Sequence, residues 1–306
     1  MVDFFSGAAS NATQSALANQ KISTKALSDT GIADVAVSLG YNFMKEDATT
    51  ISGSLDVVIP TGNTAKGVNM FEPIIGKGGA HWAIGAGLNA DFNVWKSEDK
   101  KHSVNFCADA AYKYYFDAKQ TRTLGLAGAS DSKAFPAGHY ALAITATKTK
   151  PAAPFANLGT VDMNITPGSH FELNAGFNGM HDSFCWDLGY NLFYKEEEAA
   201  KLKTAFADGT VSIIDQDYNV ATGVYGTSDF KVQSTAAATG AVYFVDINAA
   251  RTPSQLTHAV VGSLGWVFKD LKTPIRVGIG GFGEFSGETN DALETWSVFG
   301  KVGICF

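Results

Sequence analysis

Charge is scarce in this chain. Asp, Glu, Lys and Arg make up 17% of 306 residues, against about a quarter of an ordinary soluble domain. Lys and Arg number 23 against 30 Asp and Glu, for a net charge of −7, and no basic patch occurs, which argues against a nucleic-acid binder. No run approaches 18 apolar residues, which excludes a transmembrane helix. The three cysteines, Cys107, Cys185 and Cys305, are too few and odd in number for a disulfide framework. None has the CxxC spacing of a zinc site. The six histidines, His81, His102, His139, His170, His181 and His258, form neither HxH nor HExxH, and no GxSxG is present. No enzyme, metal or cofactor is expected, although a protease or lipase site assembled from distant strands remains conceivable. The opening residues Met1–Ser10 lack the basic and apolar regions of a signal peptide. The expectation is a chain that stays where it is made or a mature form without its leader.

Glycine (32) and aromatics (12%) are plentiful. The aromatics alone could fill a core, which excludes a disordered chain, and frequent Gly, Asn, Ser and Thr exclude a coiled coil. The dominant pattern has period two, the mark of half-buried strands. Ala33, Val35, Val37, Leu39, Tyr41 and Phe43 alternate with Asp34, Ala36, Ser38, Gly40 and Asn42. Ile51–Ile59, Trp82–Val94, Val104–Phe116, Phe171–Phe177, Phe184–Tyr194, Leu256–Phe268, Ile275–Ile279 and Trp296–Phe306 continue the pattern. A shorter set runs Tyr140–Ala146, and 239–247 has strand composition with weaker alternation. That gives eleven candidates. Val161, Met163 and Ile165 make a twelfth or extend the strand after Pro167-Gly168.

Several runs last 11–14 residues, longer than the usual strand of about 5–6 and suited to a tilted strand crossing a bilayer. The polar face carries Gly, Ala, Ser, Asn and Asp rather than the long charged side chains of a soluble sheet. Short polar residues inside and apolar residues outside are the signature of a transmembrane β-barrel. Aromatics cluster at strand ends (Tyr41, Phe43, Trp82, Trp95, Tyr114, Trp266, Trp296), where interfacial girdles belong. The predicted fold is all-β, a closed antiparallel transmembrane β-barrel of about 12 strands. Strand parity leaves one strand unaccounted for, before Gly31 or inside a long loop.

The C-terminal segment Val298-Phe-Gly-Lys-Val-Gly-Ile-Cys-Phe306 resembles the last strand of bacterial outer-membrane proteins, whose final aromatic is read by the barrel-assembly machinery. Ser54-Leu-Asp-Val-Val-Ile-Pro-Thr-Gly62 followed by His81-Trp-Ala-Ile-Gly-Ala-Gly is similar to a strand–loop–strand of the fatty-acid-transporter-like channels for hydrophobic compounds. The resemblance implies a barrel over 31–306 in the outer membrane. That group carries an N-terminal plug; here residues 1–30, with an Ala-rich helix expected around Phe4–Leu17, would be a small plug or a periplasmic tail.

Gly85-Ala-Gly-Leu-Asn-Ala90 and Gly278-Ile-Gly-Gly-Phe-Gly283 match dinucleotide fingerprints, but neither opens a helix. Lys195-Glu-Glu-Glu-Ala-Ala-Lys-Leu-Lys-Thr-Ala-Phe-Ala-Asp-Gly209 is the clear helix candidate, supported by the Glu197/Lys201 pair and a terminal glycine. It is either a solvated loop helix or a constriction folded into the pore mouth. All three cysteines fall on the polar phase, as isolated small residues or as a lumen pair.

The charged residues on the polar phase are Asp34, Asp56, Asp91, Asp109, Lys113, Glu172, Asp187, Arg276, Glu284 and Lys301, seven acids against three bases. An acidic lining enriches cations. The expected function is a porin-like channel for passive diffusion of small hydrophilic solutes, mildly cation-preferring. Its expected partners are membrane lipid, the solutes and further copies of itself, with no nucleic acid. Loops 60–80, 117–138 and 196–236 are placed to narrow the pore. The alternatives are an array-forming surface protein anchored by its barrel, with loops such as Ser228–Thr239 as contacts, and a channel for hydrophobic compounds. A mitochondrial-type porin fits less well, given the acidic balance and terminal Phe306.

Overall fold

The computed structural model describes residues 2–11, 14–77, 80–128, 134–135, 138–145, 152–205, 207, 209–214, 230–233, 243–269, 273–287 and 292–304. The chain is mostly antiparallel β. Nine long strands form one sheet: β1 (Val35–Lys45), β2 (Thr49–Ile59), β3 (Ala83–Lys96), β4 (His102–Tyr115), β5 (Gly168–His181), β6 (Phe184–Lys195), β7 (Gln255–Phe268), β8 (Ile275–Ser286) and β9 (Thr295–Ile304). They lie side by side in chain order, every neighbouring pair antiparallel. An up-and-down order of this kind needs only simple connections at alternating ends. At one end these are short: 46–48, 97–101, 182–183 and 269–274. At the other they are long: 60–82, 116–167, 196–254 and 287–294. The tightest is Asp182-Ser183, where Asp182 takes φ 54°, a left-handed conformation that Asp tolerates better than most residues. The sheet is open, with β1 and β9 as its edges.

The period-two alternation sets the two faces. One carries Leu39, Leu55, Leu88, Leu188, Leu264, Ile279 and Val298, exposed by 52–78%. The other carries the asparagines and the charged residues, and glycines occur on both. Both dinucleotide look-alikes lie inside strands, in β3 and β8.

The buried core lies elsewhere. Strands Ala118–Thr123, Thr160–Thr166 and Ala199–Leu202 form a three-stranded sheet. Each continues one of β4, β5 and β6 past a short break, and the neighbour order is kept. The run Val161, Met163, Ile165 is therefore an extension of β5 beyond Pro167-Gly168, with Gly168 at φ 72°. Beyond it, Gly125–Gly128, Ala134–Phe135, Leu142–Thr145, Ala153–Pro154, Val211–Ile213, Phe230–Gln233 and Tyr243–Asp246 make a seven-stranded sheet with one parallel pair. The candidates at 140–146 and 239–247 belong there as four-residue strands, and 239–242 lie outside the described residues. Leu124, Leu126, Phe155, Met163, Ile165, Val211, Ile213, Val232 and Val245 bury together at this end.

Two helix expectations are corrected. The segment 195–209 contains the strand Ala199–Leu202, paired with Met163–Thr166. Ala200 and Leu202 pack against the buried core, so period-two burial overrides the helix propensity of Glu, Ala, Lys and Leu. Glu197 meets Arg251 at 3.1 Å instead of Lys201. At the N-terminus only Val2–Ser6 is helical. Gly7 leaves the helix at φ 78°, and the Asn11 carboxamide accepts the Gln14 N–H at 2.9 Å, a local bond that competes with helix. The N-terminal segment lies at the long-connection end. Phe5 meets Tyr140 edge-on at 5.0 Å, Leu17 is buried, and Lys21 bridges Asn69.

Phe155 is fully buried in that core. Phe155→Ala is expected to cost about 3–5 kcal/mol, read as early denaturant unfolding of the extension. The circular-dichroism signal of the nine-stranded sheet should persist to higher denaturant.

Candidate functional site: the polar face and its capped end

Strand register arranges the polar face in rows. Asp56, Lys113, Glu172, Asp187, Arg276, Glu284 and Lys301 all lie on this phase, as do Asp91 and Asp109. Asp34 precedes β1; its carboxylate accepts the Lys77 backbone N–H at 2.8 Å.

The rows differ in character from one end to the other. Nearest the long connections, Asp56, Gly85, Lys113, His170, Lys195 and Gln255 follow one another across β2 to β7. One row in, Glu172 accepts Asn174 and Asn191 amides at 3.3 and 3.1 Å. The next row holds Asn89, Asp109, Asn174, Asn191 and Glu284. Asp91 and Cys107 follow. Then Asn93 donates to Asn105 at 2.7 Å and Asn105 to Asn178 at 3.0 Å, an amide ladder across three strands. In that row Asp187 accepts Ser263 Oγ at 2.5 Å and lies 3.6 Å from Arg276. Cys185 and Lys301 complete the series. Cys107 and Cys185 are free thiols on the polar phase; Cys305 and Phe306 lie outside the described residues.

At the long-connection end of this face, Val58, Ala83 and Tyr115 bury together on the polar phase, and Lys77 Nζ lies 5.5 Å from the Tyr115 ring centroid. Tyr115 in turn meets the His170 ring at 4.6 Å. Lys77 and His170 also line a neighbouring cavity of about 270 Å³, together with His81, Gln120, Arg122, Lys195 and Glu198 among others. His81 is 1% exposed. Its Nδ1 contacts the Phe116 carbonyl at 2.9 Å, which can only accept, so Nδ1 carries the proton and Nε2 accepts from the Gln120 amide at 2.6 Å. Gln120 Oε1 accepts Arg122 Nε at 2.9 Å, and Arg122 lies 3.6 Å from the buried Glu198. Gly85 makes room for the row: a Cβ there would fall 2.8 Å from Lys113 Cγ.

Of these residues the sequence marked Lys113 alone. His170 and Lys195 lie on the same polar phase as Glu172 and Asn191, which was the signal available for them. Lys77 and His81 come from the connection 60–82, where no periodicity points to a face, and Gln120 and Arg122 from the six-residue strand Ala118–Thr123, too short for its alternation to mark one. Among the described residues no group of three or more His, Cys, Asp or Glu is placed to hold a metal ion. No protein-family model matches the chain, and no curated protein sequence matches it.

The connection that carries Lys77 is held by Glu72, whose carboxylate accepts the N–H groups of Lys66, Gly67, Val68 and Asn69 at 2.6–3.2 Å. Partial burial opposes ionisation, but the four donors outweigh it and hold the carboxyl below its ordinary value of 4.5. A lowered folded value stabilises the loop at pH above 4.5, and that stability is lost as pH falls through the lowered value. Amide exchange at 66–69 is expected to accelerate through that acid window. Glu72→Gln should be less protected at neutral pH, with the acid step gone.

Proposed function

We propose that the nine-stranded sheet is the greater part of a transmembrane β-barrel and that the protein is a porin-like outer-membrane channel for small hydrophilic solutes. The observation that carries this is the exposed apolar face. Leu39, Leu55, Leu188, Leu264, Ile279, Val298 and Val302 stand 53% exposed or more across β1 to β9, with nothing packed on them. In water a continuous apolar surface of that extent is a liability; in a bilayer it is the required wall. No described helix is long and apolar enough to cross a membrane, so strands would do the crossing. Strand lengths of 10–14 residues match a tilted passage.

Closure has a parity condition. In an antiparallel series of nine, β1 and β9 run in the same direction, so direct pairing of the two edges would be parallel. An all-antiparallel wall needs an odd number of further strands, and three would give the expected twelve. The same open edges suit association with further copies of the chain. Inside, Asp91, Asp109, Glu172 and Glu284 on the polar face support a mild preference for cations.

Protein reconstituted in planar bilayers should give discrete ion-permeable steps with cations passing more readily than anions, and Asp91→Asn with Asp109→Asn should lower that ratio. Absence of any conductance would overturn the channel. Leu188→Arg, at the middle of β6 on the exposed face, should cost about 2–4 kcal/mol of stability in lipid and little in a soluble fold.

A further inference from the structure

The cavity at the long-connection end is chemically unlike the rest of the polar face. Four cationic side chains converge on it or beside it: Lys77, Arg122 and Lys195 in its lining and Lys113 next to His170 in the strand register. The carboxylates nearby are Glu198, which Arg122 engages, Asp34, whose Oδ2 accepts the Lys77 backbone N–H, and Asp56 in the same row two strands from Lys113. Glu172 and Glu196 are turned to other partners, the Asn174 and Asn191 amides and the Ser169 N–H. Lys77, Lys113 and Lys195 thus have no salt-bridge partner among the described residues.

A second observation points the same way. His170 is 7% exposed, lines this cavity and has a buried Nε2 with no hydrogen-bond partner. A buried ring nitrogen without a partner is costly, and one that carries a proton satisfies itself with an anionic acceptor. Burial and the neighbouring Lys195 and Lys113 hold the Lys77 ammonium below the usual lysine range, against the pull of Asp34 and Glu198. An anion among these groups would relieve their repulsion.

We propose that this cavity is a binding site for a small free oxyanion, a phosphate or a compact carboxylate, held by Lys77, Lys113, Lys195 and Arg122 with His170 Nε2–H as a donor. The volume of about 270 Å³ lies below the roughly 300–1,000 Å³ of pockets for drug-sized molecules, so the site takes an ion with its water rather than a large ligand. Arg122 is held by Gln120 and Glu198 and adds a delocalised cation to the lining, and the lysines add unoriented charge. The site lies on the polar side of the sheet, opposite the apolar face, so its ligand comes from solution. It stands whether or not the chain conducts ions.

Inorganic phosphate titrated calorimetrically into the full chain in zwitterionic micelles tests this. Saturable binding with Kd at or below about 1 mM is expected. Lys195→Gln and His170→Leu should each weaken it about tenfold, the size of one lost charge-assisted contact. Lys77→Gln, in a connection and so without strand-folding risk, should do the same, while Lys269→Gln at the opposite end leaves affinity unchanged. No saturable binding, or equal affinity in Lys77→Gln and the unsubstituted chain, overturns the site. In phosphatidylcholine vesicles, loss of phosphate binding on adding phosphatidylglycerol would assign the site to a lipid headgroup and overturn the free-ion claim.

Discussion

Everything else in this structure depends on one constraint, the two-residue period of nine hydrogen-bonded strands whose register shifts only near two short-turn ends. Because side chains alternate strictly, a slip of one residue in any strand would place Leu or Ile among the asparagines and Asp or Lys among the aliphatics. The bulges at Asn42/Met44 and Asn93/Trp95 fall near the short-turn ends of β1 and β3, where few rows follow. The result is a sheet with two chemically opposed faces. It buries the small cluster of Val58, Ala83 and Tyr115 on its polar phase, and the larger hydrophobic cluster belongs to the extension of β4, β5 and β6.

That division explains how the parts hold one another. The strands β4, β5 and β6 leave the sheet at Phe116-Asp117, Pro167 and Glu196–Glu198 and enter the extension in the same order, so the buried core is tied to the middle of the sheet. The connection 60–82 and the N-terminal segment lie at the same end, through Lys21 with Asn69 and the Ala18 N–H on Asn157. The other rows of the polar face rely on amide ladders and short ion pairs, which satisfy polar groups across strands without long side chains. An acidic middle beside a cationic end follows from the register, where a simple count of seven acids and three bases shows neither.

The long strands were legible in the sequence because alternation over ten or more residues has few other interpretations. Trp82–Val94 and Phe184–Tyr194 come within two residues of β3 and β6. Four-residue strands such as Leu142–Thr145 hold too few periods to announce a face, and Phe230–Gln233 went unmarked. The segment 195–209 misled because its composition favours helix while its burial, set by Met163 and Ile165 across the sheet, is a tertiary fact. The strand-borne charged residues share one phase of the register. The cavity was hidden because Lys77 and His81 come from a connection and Gln120 and Arg122 from a six-residue strand the sequence did not mark, and because the helix assignment drew Lys195 away from the strand that carries it.

The central claim is that the apolar face meets lipid and the polar face meets water. A nitroxide scan along β6, residues 184–195, in reconstituted vesicles tests it most directly. Collision with lipid-soluble oxygen and with a water-soluble nickel chelate should alternate with period two in opposite phase. Oxygen should peak at 186, 188, 190 and 192, and the chelate at 187, 189 and 191. Equal access of the chelate to positions 188 and 190 would contradict the account.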